Sequence, residues 1–354
     1  MKRHLIFAAV FSAMIMLIPA IPAAFAGGKE LPVPPSENTG PVEPAHESFS
    51  GPASADDSIP ASGTSAYEAN ENTYKVLDVT SGQVIDVPVK DYVIGAVCAE
   101  MPATFESEAL KAQAVAAHTY AERQRLRELE NPTPELCGAY FSNDTSKYQG
   151  FFTLNQAKQY YGENFDMYYK KISDAVGEVC DYVITYDNEP IISAFHSMSP
   201  GRTESAENAW GASVDYLVSV DSSADTSAPK YLEETAYESD ILRENLTSAF
   251  DGIKLGDDVG TWIQIASCSD SGTVLTASVG GKTVTGNEIR TALSLRSACF
   301  SVKAEGNSVI FTTKGYGHGV GMSQYGANSM AQNGSTWEEI LKHYYVGCEV
   351  KALS

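Results

Sequence analysis

Residues 99–120 read AEMPATFESEALKAQAVAAHTY, and they contain the end of one helix and the start of another. Pro102 ends the first helix, which opens at Asp91, because the residue before a proline avoids the helical region. The second helix is predicted from Ser107 to about Leu129, since its apolar residues recur at helical spacing along one side. Its many alanines allow another element to approach closely, so we expect this helix to be packed inside the fold.

Short strands are predicted on both sides of this helix pair. Tyr74–Val79 and Gln83–Val89 have strand composition and are separated by a turn. Pro88 favours an edge position for the second strand, because proline cannot donate to a sheet. Tyr182–Tyr186 and Ile191–Phe195 are predicted to form a hairpin.

Three further segments have the pattern of regular structure: a helix at Gln156–Val179, short strands over 262–313 with one helix near Asn287–Leu295, and a last helix from Thr336. The first of these contains Gly162 and Gly177, at which we expect interruptions. Thr336 and Glu339 have the spacing of a capping box. The mixture indicates one α+β domain with short strands, a long alanine-rich helix and a C-terminal helix.

Two segments precede this domain, which we expect to span residues 73–354. Residues 1–26 begin with Lys2 and Arg3, continue with an uncharged apolar run and end in a small-residue A-x-A site. This pattern predicts export and leaves a cleaved signal peptide and a membrane anchor both open, since the run could span a bilayer. Residues 27–72 hold seven of the chain's 16 prolines and few large apolar residues, so we expect a disordered linker.

Charge and cysteine content narrow the classes of function. The formal net charge is −21, which argues against nucleic-acid binding because phosphates require a basic surface. A polyanionic partner would need a local basic patch. The six cysteines are scattered singly and show no metal-binding spacing, and export leaves both disulfides and buried free thiols open.

Glu100 is the strongest candidate for acid–base chemistry. It lies at the predicted helix end between apolar neighbours, where burial would disfavour the charged carboxylate. A carboxyl group that keeps its proton near neutral pH can donate it to a leaving oxygen. Taken alone, the local sequence favours a solvated or helix-capping glutamate over a catalytic one.

The sequence GYGHGVGMSQYG at residues 315–326 is the other unusual segment. Alternating glycines permit positive φ and close backbone approach, so the segment is predicted to be a recognition loop or a tight turn. His318 at its centre lacks the partners of a metal site, and we expect a polar contact there. His196 with Ser197 and Ser199 would suit an activated hydroxyl, but the G-x-S-x-G elbow is missing, which favours hydrogen bonding to substrate or backbone.

Three blocks of the chain resemble the stage II sporulation protein D family: residues 99–120, 194–204, and 315–326 followed by EILKHYY at 339–345. They occur in the family's order, and the resemblance covers about residues 74–350. It implies a lytic transglycosylase of peptidoglycan that acts during spore engulfment. It also implies partnership with stage II sporulation proteins P and M and a location outside the cytoplasm, between the mother-cell and forespore membranes.

The resemblance makes Glu100 the catalytic acid/base. The residues expected to bind substrate are Lys111, His118, His196, Ser197, Ser199, Gly315, His318, Gly319, Gln324 and Tyr325. His118 stands where the family usually has arginine, and an interior histidine is the alternative there. Some relatives bind zinc, but only Cys137 stands in a suitable place here, so we predict no zinc and no cofactor.

The family's reaction splits the bond between N-acetylmuramic acid and N-acetylglucosamine in strands stripped of stem peptides, and it leaves a 1,6-anhydro sugar. One carboxyl group suffices, whereas ordinary glycosidases use two. The rival hypothesis is a non-catalytic glycan-binding module that enhances a cell-wall amidase. A metal-dependent hydrolase has little support because the ligand spacing is absent.

Overall fold

The computed structural model describes residues 72–353, in which short strands alternate with helices. The predicted export segment and all but the last residue of the predicted linker lie outside this range. The first elements are β1 (Thr73–Asp78), β2 (Gln83–Pro88), α1 (Val89–Glu100), α2 (Ser107–Glu130), β3 (Phe141–Ser142), α3 (Leu154–Tyr161), α4 (Phe165–Val179), β4 (Tyr182–Tyr186), β5 (Glu189–Pro190), β6 (Phe195–His196) and α5 (Ala206–Trp210).

The remaining elements are β7 (Leu232–Glu238), α6 (Ser239–Ala249), β8 (Ile263–Cys268), β9 (Val274–Val279), β10 (Lys282–Val284), α7 (Gly286–Ala292), β11 (Phe300–Glu305), β12 (Ser308–Lys314), β13 (Met322–Ser323), α8 (Gln324–Gln332), α9 (Trp337–Tyr344) and β14 (Glu349–Ala352). Together they form a single mixed α+β domain, as predicted. Within residues 72–353, no helix combines the length and the hydropathy needed to cross a bilayer.

Helix α2 is the central element of the larger hydrophobic core. It packs against α1, α4, β4, α8 and α9. Ala109, Ala112, Ala114, Ala116 and Ala117 are all buried on it. The prediction of a closely packed interior helix is therefore confirmed, because small side chains on several faces let neighbours approach from different directions.

The N-terminal hairpin matches its prediction. Strands β1 and β2 pair antiparallel, with Thr73 opposite Pro88. The sheet order is β2-β1-β3, so β2 lies at the edge, where proline is tolerated. The predicted capping box is also present at α9, where the Thr336 hydroxyl accepts the Glu339 amide and the Glu339 side chain accepts the Thr336 amide.

Only one of the two predicted helix interruptions exists. Gly162 has φ +52° and separates α3 from α4 with a short 3-10 turn. Gly177 instead lies within α4, and the expectation of a break there was wrong. The buried residues Val176 and Val179 anchor that turn of helix in the core, which outweighs the weak helix propensity of glycine.

The predicted hairpin after residue 182 is shorter than expected. Only Glu189-Pro190 of the predicted second strand pairs with β4, whose other edge pairs with β14, and residues 191–194 leave the sheet. Asp187 and Asn188 both have positive φ and make a tight two-residue turn. The following residues find partners elsewhere: the Ser193 hydroxyl donates to the Ala116 carbonyl, and β6 pairs in parallel with β13.

A second, smaller hydrophobic core lies under the strands and helices of residues 232–314. Trp262, Phe300 and Phe311 are among its buried side chains. The predicted short strands are present there as two three-stranded antiparallel sheets, with orders β10-β9-β8 and β11-β12-β7. The predicted helix near Asn287–Leu295 is α7.

Candidate functional site

Glu100 is the last residue of α1, as predicted, and its side chain is buried. It is 6% exposed, and Met101 beyond it is extended. Burial raises the pKa of the neighbouring Tyr92, and Tyr120 and the negative charge of Glu100 raise it further. The arrangement provides one buried carboxyl group at a helix end.

A side chain from far along the chain fixes the end of α1. Gln324 Nε2 donates to the Glu100 carbonyl oxygen at 2.9 Å and lies 3.4 Å from Gln113 Oε1. Gln113 is fully buried on α2, and its Nε2 has no hydrogen-bond partner among the described residues. Gln113 was missed by sequence reasoning, because nothing in its alanine-rich surroundings distinguishes a site glutamine from a surface one.

Pairing of β6 with β13 brings together two of the three blocks quoted from the sequence, residues 194–204 and 315–326. Ser323 lies opposite His196, and Gln324 follows at once. The Tyr325 amide donates to the Ser197 carbonyl, and the Tyr325 ring packs edge-on against Phe105 at 5.0 Å. The structure therefore connects Glu100 with Gln324, Tyr325, His196 and Ser197.

His196 and His318 form a buried pair with fixed tautomers. His196 Nδ1 lies 3.1 Å from the Val320 carbonyl oxygen and must donate, whereas His318 Nδ1 accepts the Val320 amide at 3.1 Å. Their ring centroids are 5.8 Å apart, and the Trp210 ring is 5.7 Å from His318. His196 Nε2 is therefore an acceptor and His318 Nε2 a donor, and both are buried without a partner among the described residues.

Burial governs the charge of both rings. It lowers the pKa of His196 to about 4, against a smaller raising effect of the bond to Val320. Burial also lowers the pKa of His318 well below its ordinary value, and His196 and Arg290 lower it further, against a smaller raising effect of the Phe195 backbone. Both imidazoles are neutral at physiological pH and can offer a donor and an acceptor.

The alternating glycines pack against the segment 194–204. Gly315, Gly317, Gly319 and Gly321 all have positive φ. A Cβ at Gly321 would lie 2.0 Å from the Ala194 carbonyl oxygen, and one at Gly315 would lie 2.7 Å from that of Met198. Close approach of two chain segments thus accounts for these glycines, while at Gly319 a Cβ would meet Glu204 at only an ordinary 3.4 Å.

Asp225, which sequence reasoning missed, ties this region together. It is fully buried and accepts hydrogen bonds from the Ser199 amide at 2.7 Å, the Ser323 hydroxyl at 2.9 Å and the Ser222 hydroxyl at 3.0 Å. Burial raises the pKa of Asp225, and these bonds oppose the shift. Ser199 Oγ accepts the Gly201 amide, and neither Ser197 nor Ser199 is bonded to His196 within residues 72–353. An activated Ser–His pair is not what this geometry provides.

Lys111 and His118 occupy other faces of α2. Lys111 Nζ pairs with Glu108 at 2.8 Å and with Glu178 of α4 at 2.5 Å. His118 is 2% exposed, with Nδ1 2.9 Å from the Tyr182 carbonyl oxygen. Burial lowers the pKa of His118, and Glu122 opposes this. This placement favours the interior-histidine alternative for His118.

Metal ligands do not converge in the part of the chain that the structure describes. Within residues 72–353, no group of three His, Cys, Asp or Glu side chains could hold an ion. All six cysteines have free thiols there. The absence of zinc stays a prediction, which metal analysis of the purified protein can check.

Comparison with known proteins places this architecture among sporulation proteins. A family model described as Stage II sporulation protein matches residues 78–186. The chain is 36% identical to Stage II sporulation protein D of Bacillus subtilis over 351 residues, covering 99% of this chain and 96% of the relative. It is 39% identical to Stage II sporulation protein D of Bacillus amyloliquefaciens over 277 residues, or 78% and 77% of the two chains.

A more distant relative has a different name. The Amidase enhancer of Bacillus subtilis is 29% identical over 304 residues, which cover 72% of this chain and 39% of that protein.

Proposed function

Because this chain belongs to the stage II sporulation protein D family, we propose that it is a peptidoglycan lytic transglycosylase that cleaves denuded glycan strands during spore engulfment. The observation that carries the proposal is Glu100, a carboxyl group only 6% exposed at the end of α1. Its helix end is fixed by Gln324. Burial disfavours the ionised form of such a group, which suits a proton donor.

The proposed reaction uses this one carboxyl group twice. Glu100 first protonates the oxygen that leaves as the bond from C1 of N-acetylmuramic acid to O4 of N-acetylglucosamine breaks. The resulting carboxylate then removes the proton of the muramic acid 6-hydroxyl, whose oxygen attacks C1. The product is a 1,6-anhydro end, water is not consumed, and Glu100 regains its starting proton.

The other predicted residues have positioning roles in this proposal. His196 and His318 are buried and both bond to the backbone of Val320, so in this proposal they position the glycine loop from within. Tyr325 presents a ring beside Phe105, and aromatic faces suit the apolar faces of sugars. The partners proposed with this function are stage II sporulation proteins P and M, and the proposed location is outside the cytoplasm, with residues 1–26 as signal peptide or anchor.

A non-catalytic glycan-binding module is the second candidate. It is favoured by the likeness to a protein named Amidase enhancer. In this case Glu100 would be a buried structural carboxyl group, and the chain would hold strands for a separate hydrolase.

Product analysis separates the two functions. Strands stripped of stem peptides by an amidase are incubated with the purified chain, and their ends are identified by mass spectrometry. New 1,6-anhydro ends are the expected result. Strands that are bound but unchanged would support the binding module, and new reducing ends would indicate a hydrolase and contradict both.

A further inference from the structure

A pocket of about 280 Å³ lies between the first turns of α2 and one face of α4. Its polar lining consists of three lysines, Lys111, Lys170 and Lys171, together with Ser107, Asp174 and Glu178. Met167 and Ala175 contribute apolar surface. A pocket lined by three lysines is unexpected in a chain of net charge −21, so its charge balance matters.

Two of the three lysines are neutralised by carboxylates. Lys111 pairs with Glu108 at 2.8 Å and Glu178 at 2.5 Å, and Lys170 pairs with Asp174 at 2.6 Å in a largely exposed position. Three carboxylates thus face two lysines, so neither lysine offers an unpaired positive charge and the paired groups together carry one excess negative charge.

Lys171 is different. Its Nζ donates to the Phe105 carbonyl oxygen at 2.5 Å, and no carboxylate of residues 72–353 lies within ion-pair distance of it. Burial lowers the pKa of Lys171, and the negative charge of Glu106 opposes this. The ammonium group therefore has spare donors and incomplete hydration, which an anion in the pocket would restore.

The pocket is connected to Glu100 through the α1–α2 connection. Lys171 is bonded to Phe105, and the Phe105 ring packs against Tyr325. Tyr325 follows Gln324, whose amide is bonded to the Glu100 carbonyl oxygen. The residues between Glu100 and Phe105 thus join the carboxyl group to the pocket over a few residues.

We propose that this pocket is a subsite for the lactyl carboxylate of N-acetylmuramic acid in a denuded strand, with Lys171 as the residue that recognises it. The inference rests on the proposed substrate. A lactyl group carries a carboxylate and a methyl group on one carbon, which matches an ammonium group beside the apolar side chains of Met167 and Ala175. In a strand that keeps its stem peptides the same carboxylate is an amide without charge, so Lys171 would discriminate between the two.

The test compares Lys171→Gln with Lys254→Gln, which makes the same charge change at an exposed lysine outside the pocket. Both are placed in the full chain carrying Glu100→Gln, so that strands are bound without being consumed. The probes are amidase-treated strands and the same strands after conversion of the lactyl carboxylates to methylamides. We expect Lys171→Gln to weaken binding of the untreated strands about tenfold, as loss of one charge-assisted contact predicts, and to leave methylamide strands unaffected.

Lys254→Gln should change either affinity less than twofold, and Lys171→Arg should restore most of the binding. Equal loss on both strands, or no loss on either, would overturn the subsite. Lys171-dependent binding of wall teichoic acid in place of glycan would also overturn it. If the unmodified chain forms anhydro ends while Lys171→Gln binds normally, only the subsite fails. If the unmodified chain neither binds nor cleaves strands, the proposed function fails as well.

Discussion

The position of Glu100 depends on contacts that no local sequence feature encodes. Its helix ends where Pro102 requires, yet its carbonyl is held by Gln324, more than two hundred residues away. Gln324 is itself placed by the pairing of β13 with β6. The chemistry proposed for one residue therefore depends on three separated segments, and substitutions can test the carboxyl group without disturbing the segments that place it.

Glu100→Gln keeps the size and polarity of the side chain but removes the proton that the proposed reaction transfers. We expect strand cleavage to fall ~100- to 10,000-fold, the usual contribution of general acid–base catalysis, with strand binding retained. Anhydro-end formation measures the first and equilibrium binding the second. Glu130→Gln at the exposed end of α2 is the matched control. Turnover near that of the unchanged protein would remove Glu100 from the mechanism.

His196 is expected to make stability depend on pH. Its folded pKa of about 4 lies below its ordinary 6.5, so between these values the unfolded chain binds a proton that the folded chain does not. The contribution of His196 therefore leaves the free energy of unfolding at its full value above about pH 6.5. It lowers that free energy by about 2–4 kcal/mol as the pH drops to about 4.

His196→Asn keeps a donor for the Val320 carbonyl and removes the titration. Urea unfolding from pH 7 to 4 should then show a shallower loss of stability than in the unchanged protein. The pKa values of His118 and His318 are also lowered. Their contributions to the pH dependence of stability are the same in His196→Asn and in the unchanged protein, so only the contribution of His196 differs. An unchanged slope for His196→Asn would contradict the assignment.

At the scale of elements, the glycines of residues 315–321 are explained by close packing against another segment and not by substrate recognition. Its alternate residues face the backbone of 194–204, which leaves His318 to meet His196 and Trp210. The loop thereby sets the geometry of the histidine pair.

Gly321→Ala tests this account against Gly334→Ala. Both glycines have positive φ, which costs an alanine roughly 1–2 kcal/mol, but only at Gly321 would the new Cβ meet a carbonyl oxygen, at 2.0 Å, while Gly334 faces open space. We expect Gly321→Ala to be less stable than Gly334→Ala by about 1–3 kcal/mol in urea unfolding. Equal losses would mean that backbone conformation alone explains the glycine.

Helix ends that are set by nearby residues could be predicted from the sequence. Pro102 marked the end of α1, and Thr336 with Glu339 marked the start of α9, because caps and prolines act within a few residues. The second strand of the hairpin that turns at Asp187 was predicted to be too long. Residues 191–194 contact distant segments instead of pairing in the sheet. Asp225 and Gln113 could not be found for the same reason: their partners lie far along the chain.

At the scale of the whole molecule, a polar junction around Glu204 joins the two hydrophobic cores. Glu204 is buried and accepts bonds from Ser269 and Ser271 of the β8–β9 turn, the second at 2.6 Å. Burial acts to raise the pKa of Glu204, but these and other hydrogen bonds outweigh it and the pKa is lowered. The Glu204 amide also donates to the Gly319 carbonyl at 2.7 Å. The smaller core is thus fastened to the glycine loop and to the segment that carries His196.

This junction predicts that both cores unfold together. The three tryptophans allow a direct test, because Trp262 is buried in the smaller core while Trp337 packs against Tyr182 of the larger one. Two variants are made, one that retains only Trp262 and one that retains only Trp337, with phenylalanine at the other two tryptophan positions. The fluorescence of each variant reports the unfolding of one core. Coincident urea midpoints are expected, since a shared buried carboxylate would lose its partners if either core opened alone.

Phe311→Ala then perturbs the smaller core only. Phe311 is fully buried, so its loss should cost about 3–5 kcal/mol, and the Trp337 signal should shift as far as the Trp262 signal. Leu232→Ala, on the paired strand β7 but 56% exposed, should shift neither by more than about 1 kcal/mol. A Trp262 transition that moves to lower urea while Trp337 stays in place would show that the smaller core opens independently, and that the histidine pair keeps its geometry without it.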